Sequence, residues 1–169
     1  KQLDPTRPCI HTSGMYHIPG QDIYDIHDYD QNPESFKERW ESFFRYSREN
    51  NNIVTKDCEL LKREQLPFFY QEYQGQPIFI SEYGGIRWVH NAVEGWGYGQ
   101  APKTEQEFFD RYEGLTTFLL DSEDIFGFCY TQLYDVEQEI NGLYTYDRTP
   151  KFDMNIIKAI NERAAKIEK

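Results

Sequence analysis

The sequence predicts an α/β fold assembled from about four consecutive βα units. Three observations carry that expectation. The segments 77–81 (PIFIS) and 125–133 (IFGFCYTQL) are apolar almost without alternation, the pattern of strands buried on both faces in a parallel sheet. Stretches with helical periodicity and their own start signals lie between and after the candidate strands. Each candidate strand also ends in a cluster of polar residues, where βα architectures place their chemistry.

In chain order, 7–13 (RPCIHTS) reads as a first strand, opened by proline and closed by Gly14. A second, more polar strand is expected over 22–29 (DIYDIHDY). A helix over 32–46 has Asn32 as N-cap, Pro33 at its first position and a stripe of Phe36, Trp40, Phe43 and Phe44 at i, i+4, i+7 and i+8. Residues 47–75 are mixed, with a short helix suggested around KDCELLKREQ before Pro67. The third strand, 77–81, runs into a long loop rich in Gly and Trp, 84–102; loops of that length in compact domains usually carry function. Thr104 and Glu107 form a capping box that opens a helix to residue 121. The fourth strand, 125–133, is followed by a loop and a closing helix over 154–168, with Ile156, Ile157, Ile160, Ala164 and Ile167 on one face.

The 169 residues are enough for one domain with a real core. A net charge of −11 repels phosphate backbones and anionic lipid, which argues against nucleic acid and membrane surfaces as partners. No stretch approaches the ~18 consecutive apolar residues of a membrane span. Cys9, Cys58 and Cys129 are odd in number and widely spaced, so a reducing, cytoplasmic setting is expected rather than a disulfide framework. The opening KQLDPTRPCI, without an initiator Met, reads like the middle of a longer protein. Aromatic content of 17% beside a mean hydropathy of −0.81 marks a folded domain with Tyr and Trp to spare for a surface that stacks on a flat, hydroxylated ligand.

The polar strand ends are His11, Thr12 and Ser13; then Asp25, His27, Asp28 and Tyr29; then Ser81 and Glu82; then Tyr130, Thr131, Gln132, Asp135 and Glu137. Each has an ordinary alternative. Glu82 alone would serve as a structural ion-pair partner, and the histidines lack any dedicated metal-binding spacing. Trp88 and Trp96 would do as core covers, although Trp96 and Tyr98 sit between the glycines of GWGYG, where little local packing holds an aromatic. Three functions stay open on the residues alone. They are an enzyme with Glu82 as a catalytic carboxylate, a carbohydrate-binding module with Trp88, Trp96 and Tyr130 as its platform, and a metal-dependent hydrolase using His11, His17 and His27.

Four motifs carry a resemblance: DPTRP (4–8), QPIFISEYGG (76–85), YTQLYDVEQEINGL (130–143) and YDRTPK (146–151). In this order and spacing the chain resembles the C-terminal half of the catalytic (β/α)8 TIM barrel of glycoside hydrolase family 2, the β-galactosidase, β-glucuronidase and β-mannosidase group. The resemblance implies a retaining mechanism with Glu82 as nucleophile and Tyr29 as the tyrosine that orients it. His27, Trp96, Tyr130, Gln132, Asp135, Glu137 and Asn141 would line the sugar site, Tyr130 at its base. The acid/base glutamate of the family precedes DPTRP and has no match here. No cofactor or metal is assigned to these residues; the divalent cation of some β-galactosidases would be held mostly by the other half. Asn141-Gly142-Leu143 lacks the lysine of the glucuronidases' Asn-x-Lys pair, so a β-galactoside is the first expectation, with β-glucuronide and β-mannoside as alternatives. A half-barrel alone would expose strand edges, so self-association is expected too.

Overall fold

The computed structural model describes residues 2–14, 16–55, 58, 72–89 and 95–169. Its centre is a parallel sheet in the order β1 (Tyr24–Asp28), β2 (Ile78–Gly84), β3 (Ile125–Thr131). Helix α1 (Pro33–Glu49) lies between β1 and β2, α2 (Glu105–Asp121) between β2 and β3, and α3 (Met154–Asn161) after β3. The short helix expected around KDCELLKREQ falls, except for Cys58, outside the described residues.

Three strands, rather than the expected four, are present among the described residues. The segment 7–13 forms no strand. Pro5 and Pro8 have no amide hydrogen, the Cys9 amide donates to the Asp22 carboxylate at 2.7 Å, and the Thr12 hydroxyl donates to the Tyr16 carbonyl. With no amide hydrogen on Pro8 and both the Cys9 amide and carbonyl taken by Asp22, the segment joins no ladder among the described residues.

The helices form where their caps direct. Asn32 Oδ1 accepts from the amides of Glu34 (2.9 Å) and Ser35 (3.3 Å), and Phe36, Trp40, Phe43 and Phe44 are buried as one stripe. Thr104 Oγ1 accepts from the Glu107 amide at 3.1 Å, while the Glu107 carboxylate reaches one residue further back, to the Lys103 amide at 2.8 Å. Helix α3 stops at Asn161, well short of 168. Ile157 and Ile160 are buried, Ile156 and Ile167 exposed, so the apolar stripe finds a partner for only two turns. A 3-10 turn, Lys166–Glu168, follows.

One face of the sheet is covered by helices. Tyr24, Ile26, Ile78, Ile80 and Tyr83 pack with Phe36, Trp40, Leu115 and Leu119. Asp28 is held on this face by Arg39 (3.1 Å) and the Trp40 indole (3.0 Å); its burial raises its carboxyl above the ordinary range, against the pull of Arg39. A second cluster joins Ile86, Phe108, Tyr112, Leu143, Phe152, Ile157 and Ile160.

The opposite face depends on an irregularity. Ile26 pairs with Ile80, but the next residue, His27, pairs with Glu82, so β2 carries one extra residue at Ser81. A bulge of this kind breaks strict alternation and re-aims a side chain. Ser81 and Glu82 therefore serve the same face, although they are consecutive. Ser81 Oγ donates to Asp25 at 3.0 Å, and Glu82 meets His27 and Tyr29. Among the described residues, no helix is long and apolar enough to cross a membrane.

Candidate active site

Glu82 stands near the C-terminal end of β2, its side chain 37% exposed. Its Oε2 accepts a hydrogen bond from the Tyr29 phenol and lies 3.3 Å from His27 Nδ1. His27 Nε2 is in turn 3.1 Å from Ser13 Oγ. Both contacts fall on Oε2, and among the described residues Oε1 has no hydrogen-bond or ion-pair partner. Burial first, then the bonds to Glu82 and Tyr98, hold the Tyr29 phenol well above its ordinary range. Tyr29 therefore remains a neutral donor at physiological pH.

Below this group lies a second carboxylate. Asp25 Oδ2 accepts from the Gly14 amide (2.7 Å) and from Ser81 Oγ (3.0 Å), and Oδ1 is 3.6 Å from His17 Nδ1. Both Asp25 and His17 side chains are fully buried. Two histidines thus stand beside two different carboxylates, and among the described residues no group of three or more His, Cys, Asp or Glu is arranged to hold a metal.

The two glycines after Glu82 have a spatial reason. Gly84 and Gly85 both have positive φ, +81° and +58°. A Cβ on Gly84 would overlap the Tyr130 ring, and one on Gly85 would overlap the ring of Tyr98 and crowd Tyr29.

The remaining expected residues divide. Trp96 is 48% exposed and packs edge-on against Tyr98, with centroids 5.8 Å apart. Its amide donates to the Gln138 carbonyl (2.7 Å) and its carbonyl accepts from the Ile140 amide (2.9 Å), which ties the 95–100 loop to the loop after β3. In that loop, Asp135 Oδ1 accepts from the Gly142 amide (2.9 Å) and from Lys151 Nζ (2.6 Å). Asn141 is fully buried and donates to Glu139 Oε1 at 3.0 Å. Glu137 sits at a turn with φ +52° and, with Trp88, Tyr146 and Lys151, lines a cavity of about 360 Å³. The Gln132 carbonyl accepts from Leu143 (3.1 Å).

Tyr130 requires a correction. Its Cα pairs with Tyr83, and its ring meets Tyr83 (5.5 Å) and Tyr112 of α2 (4.9 Å). Tyr83 bonds Thr116 of α2 at 2.8 Å, so this is the helix-covered face, opposite Glu82. Tyr130 packs the seam between the two core clusters instead of forming the floor of a sugar site.

Residue-by-residue reading undervalued three side chains. Tyr98 stacks on Tyr29; its one signal was its setting among glycines. Gln31 bridges Gly84 and Tyr98 through their carbonyls, at 3.0 and 2.6 Å. Lys151 is buried, donating to Asp135 and to the carbonyls of Ile140 (3.2 Å) and Trp88 (3.3 Å). Burial lowers its ammonium pKa and the bond to Asp135 partly offsets that.

Solved structures of similar fold include the β-glucuronidase of Bifidobacterium dentium complexed with coumarin-3-O-glucuronide, at 15% identity and a TM-score of 0.52. The β-glucuronidase of Faecalibacterium prausnitzii matches at 17% identity, also with a TM-score of 0.52. Each match covers 86% of this chain, but only 21% and 22% of the respective structures, so the chain spans about a fifth of their length. No protein-family model matches the chain, and no curated protein does.

Proposed function

We propose that this chain contributes the nucleophile side of a retaining β-glycosidase, within a (β/α)8 barrel completed by other residues of the protein that carries it. The observation that supports this reading is the one-sided grip on Glu82. Tyr29 and His27 take Oε2, which leaves Oε1 to attack an anomeric carbon. Attack forms a glycosyl ester on Oε1 as the aglycone departs with a proton from a second carboxyl. Water, deprotonated by that same carboxyl, then breaks the ester and restores the carboxylate. The second carboxyl would stand about 5–5.5 Å away, the separation retention requires.

A β-galactoside is the proposed substrate class. Recognition of a uronate calls for a free cation, and the lysine of this loop region, Lys151, is neutralised by Asp135 and enclosed by two carbonyls. The second reading, a β-glucuronide, is favoured by the names of the structural neighbours. The test uses the full-length protein with aryl β-galactoside, β-glucuronide and β-mannoside, following the first product by proton NMR. The β-anomer should appear first and kcat/KM should be highest for the galactoside. An α-anomer appearing first would overturn retention, and a tenfold preference for the glucuronide would establish the second reading.

A further inference from the structure

We infer that Tyr98 is a positioning residue of this site: its ring, stacked on Tyr29, holds the phenol in the orientation that grips Glu82. The inference rests on the reading of Glu82 as nucleophile and deepens it.

Tyr29 follows the last residue of β1, and the β1–β2 ladder ends one residue earlier, at the pair Asp28 and Tyr83. No ladder pair of that sheet sets the direction of its side chain. Its aromatic neighbour on β1, His27, touches it only edge-on, with centroids 6.4 Å apart. Tyr98 supplies the missing wall. The two rings lie face to face, 3.4 Å between centroids and 5° between planes, so the phenol cannot swing without displacing Tyr98.

Aromatic pairs left to themselves prefer offset or edge-to-face contact. A nearly eclipsed stack therefore needs anchors, and they are present. The Tyr98 amide donates to the Gly85 carbonyl (3.0 Å), and its carbonyl accepts from Gln31 Nε2 (2.6 Å). The same Gln31 nitrogen donates to the Gly84 carbonyl (3.0 Å), while its Oε1 accepts from Arg111 (3.1 Å). Arg111 also donates to the Gln100 carbonyl (2.6 Å). The loop is thus fastened to Gly84 and Gly85, just beyond Glu82, and to α2. Gly85 completes the device, because a side chain there would occupy the place of the Tyr98 ring.

The test compares Tyr98→Phe and Tyr98→Leu with wild type in the full-length protein, with active sites counted by the burst of a slow substrate. Phenylalanine keeps the ring, and its kcat should stay within about threefold. Leucine removes it, and kcat and kcat/KM should fall together by about 10- to 100-fold with KM nearly unchanged, the cost of a misplaced reacting group. A second readout does not need turnover: the ¹³Cζ resonance of Tyr29, assigned with Tyr29→Phe, should move further in Tyr98→Leu than in Tyr98→Phe, which keeps the ring and loses only the hydroxyl bonded to Tyr29. If wild type turns over no glycoside, the proposed function fails, while the resonance alone decides whether the clamp exists. An unmoved resonance in Tyr98→Leu, a loss confined to KM, or a Tyr98→Phe variant as poor as Tyr98→Leu would each overturn the inference.

Discussion

Replacing Glu82 by glutamine in the full-length protein is expected to lower kcat/KM for an aryl β-glycoside by about 10⁴-fold or more. The substitution is nearly isosteric. The amide oxygen still accepts from Tyr29, and a side chain more than a third exposed contributes little to the core. Stability should therefore change by no more than about 0.5 kcal/mol. On the proposed mechanism, what is lost is the anionic oxygen that would form the ester bond. If Glu82 were only a rim carboxylate paired with His27, the same change would leave turnover within a few-fold of wild type. Truncation to Glu82→Ala adds a positive signature. Azide entering the vacated space should restore turnover and yield a glycosyl azide of α configuration, since attack comes from the face opposite the aglycone.

Lys151→Ala is expected to be the most destabilising single change in the loop after β3, by about 3–5 kcal/mol. The ammonium and the Asp135 carboxylate are both nearly inaccessible, and three acceptors converge on Nζ. Removing the lysine leaves a buried carboxylate without its cation and strands two carbonyls. Urea unfolding of Lys151→Ala, Asp135→Leu and the double variant measures this directly. The double variant should cost less than the sum of the singles, because the uncompensated charge is gone. A cost below about 1 kcal/mol for Lys151→Ala would mean that the pair is solvated in the working protein.

Local signals in this sequence translate well into structure. Asn32 with Pro33 and the stripe from Phe36 to Phe44 specify α1, and Thr104 with Glu107 specifies α2, because caps and periodicity act within a few residues. That 7–13 forms no strand was not legible. β-branched residues suit a strand, but only a neighbouring ladder makes one, and here Asp22 takes the Cys9 amide. The placement of Tyr130 was hidden for a different reason. Alternation assigns faces by parity, and the irregular registers at Ser81 of β2 and between Ile125 and Gly127 of β3 reset the parity. Glu82 gains the open face by that slip, and Tyr130 follows Tyr83 to the helices. The Glu82–Tyr29 contact spans 53 positions and was reached through motif resemblance rather than pattern. The Tyr29–Tyr98 stack and the Lys151–Asp135 pair arise where separate loops meet, which no local rule anticipates.

The most direct measurement is peptide mass spectrometry after inactivation of the full-length protein with a 2-deoxy-2-fluoro-β-galactoside bearing a good leaving group. Trapping of the ester predicts one fluorosugar per active site, attached to Glu82 within the peptide ending at Arg87 and absent from Glu82→Gln. A fluorosugar found on any other carboxylate, or undiminished labelling of Glu82→Gln, would contradict the account.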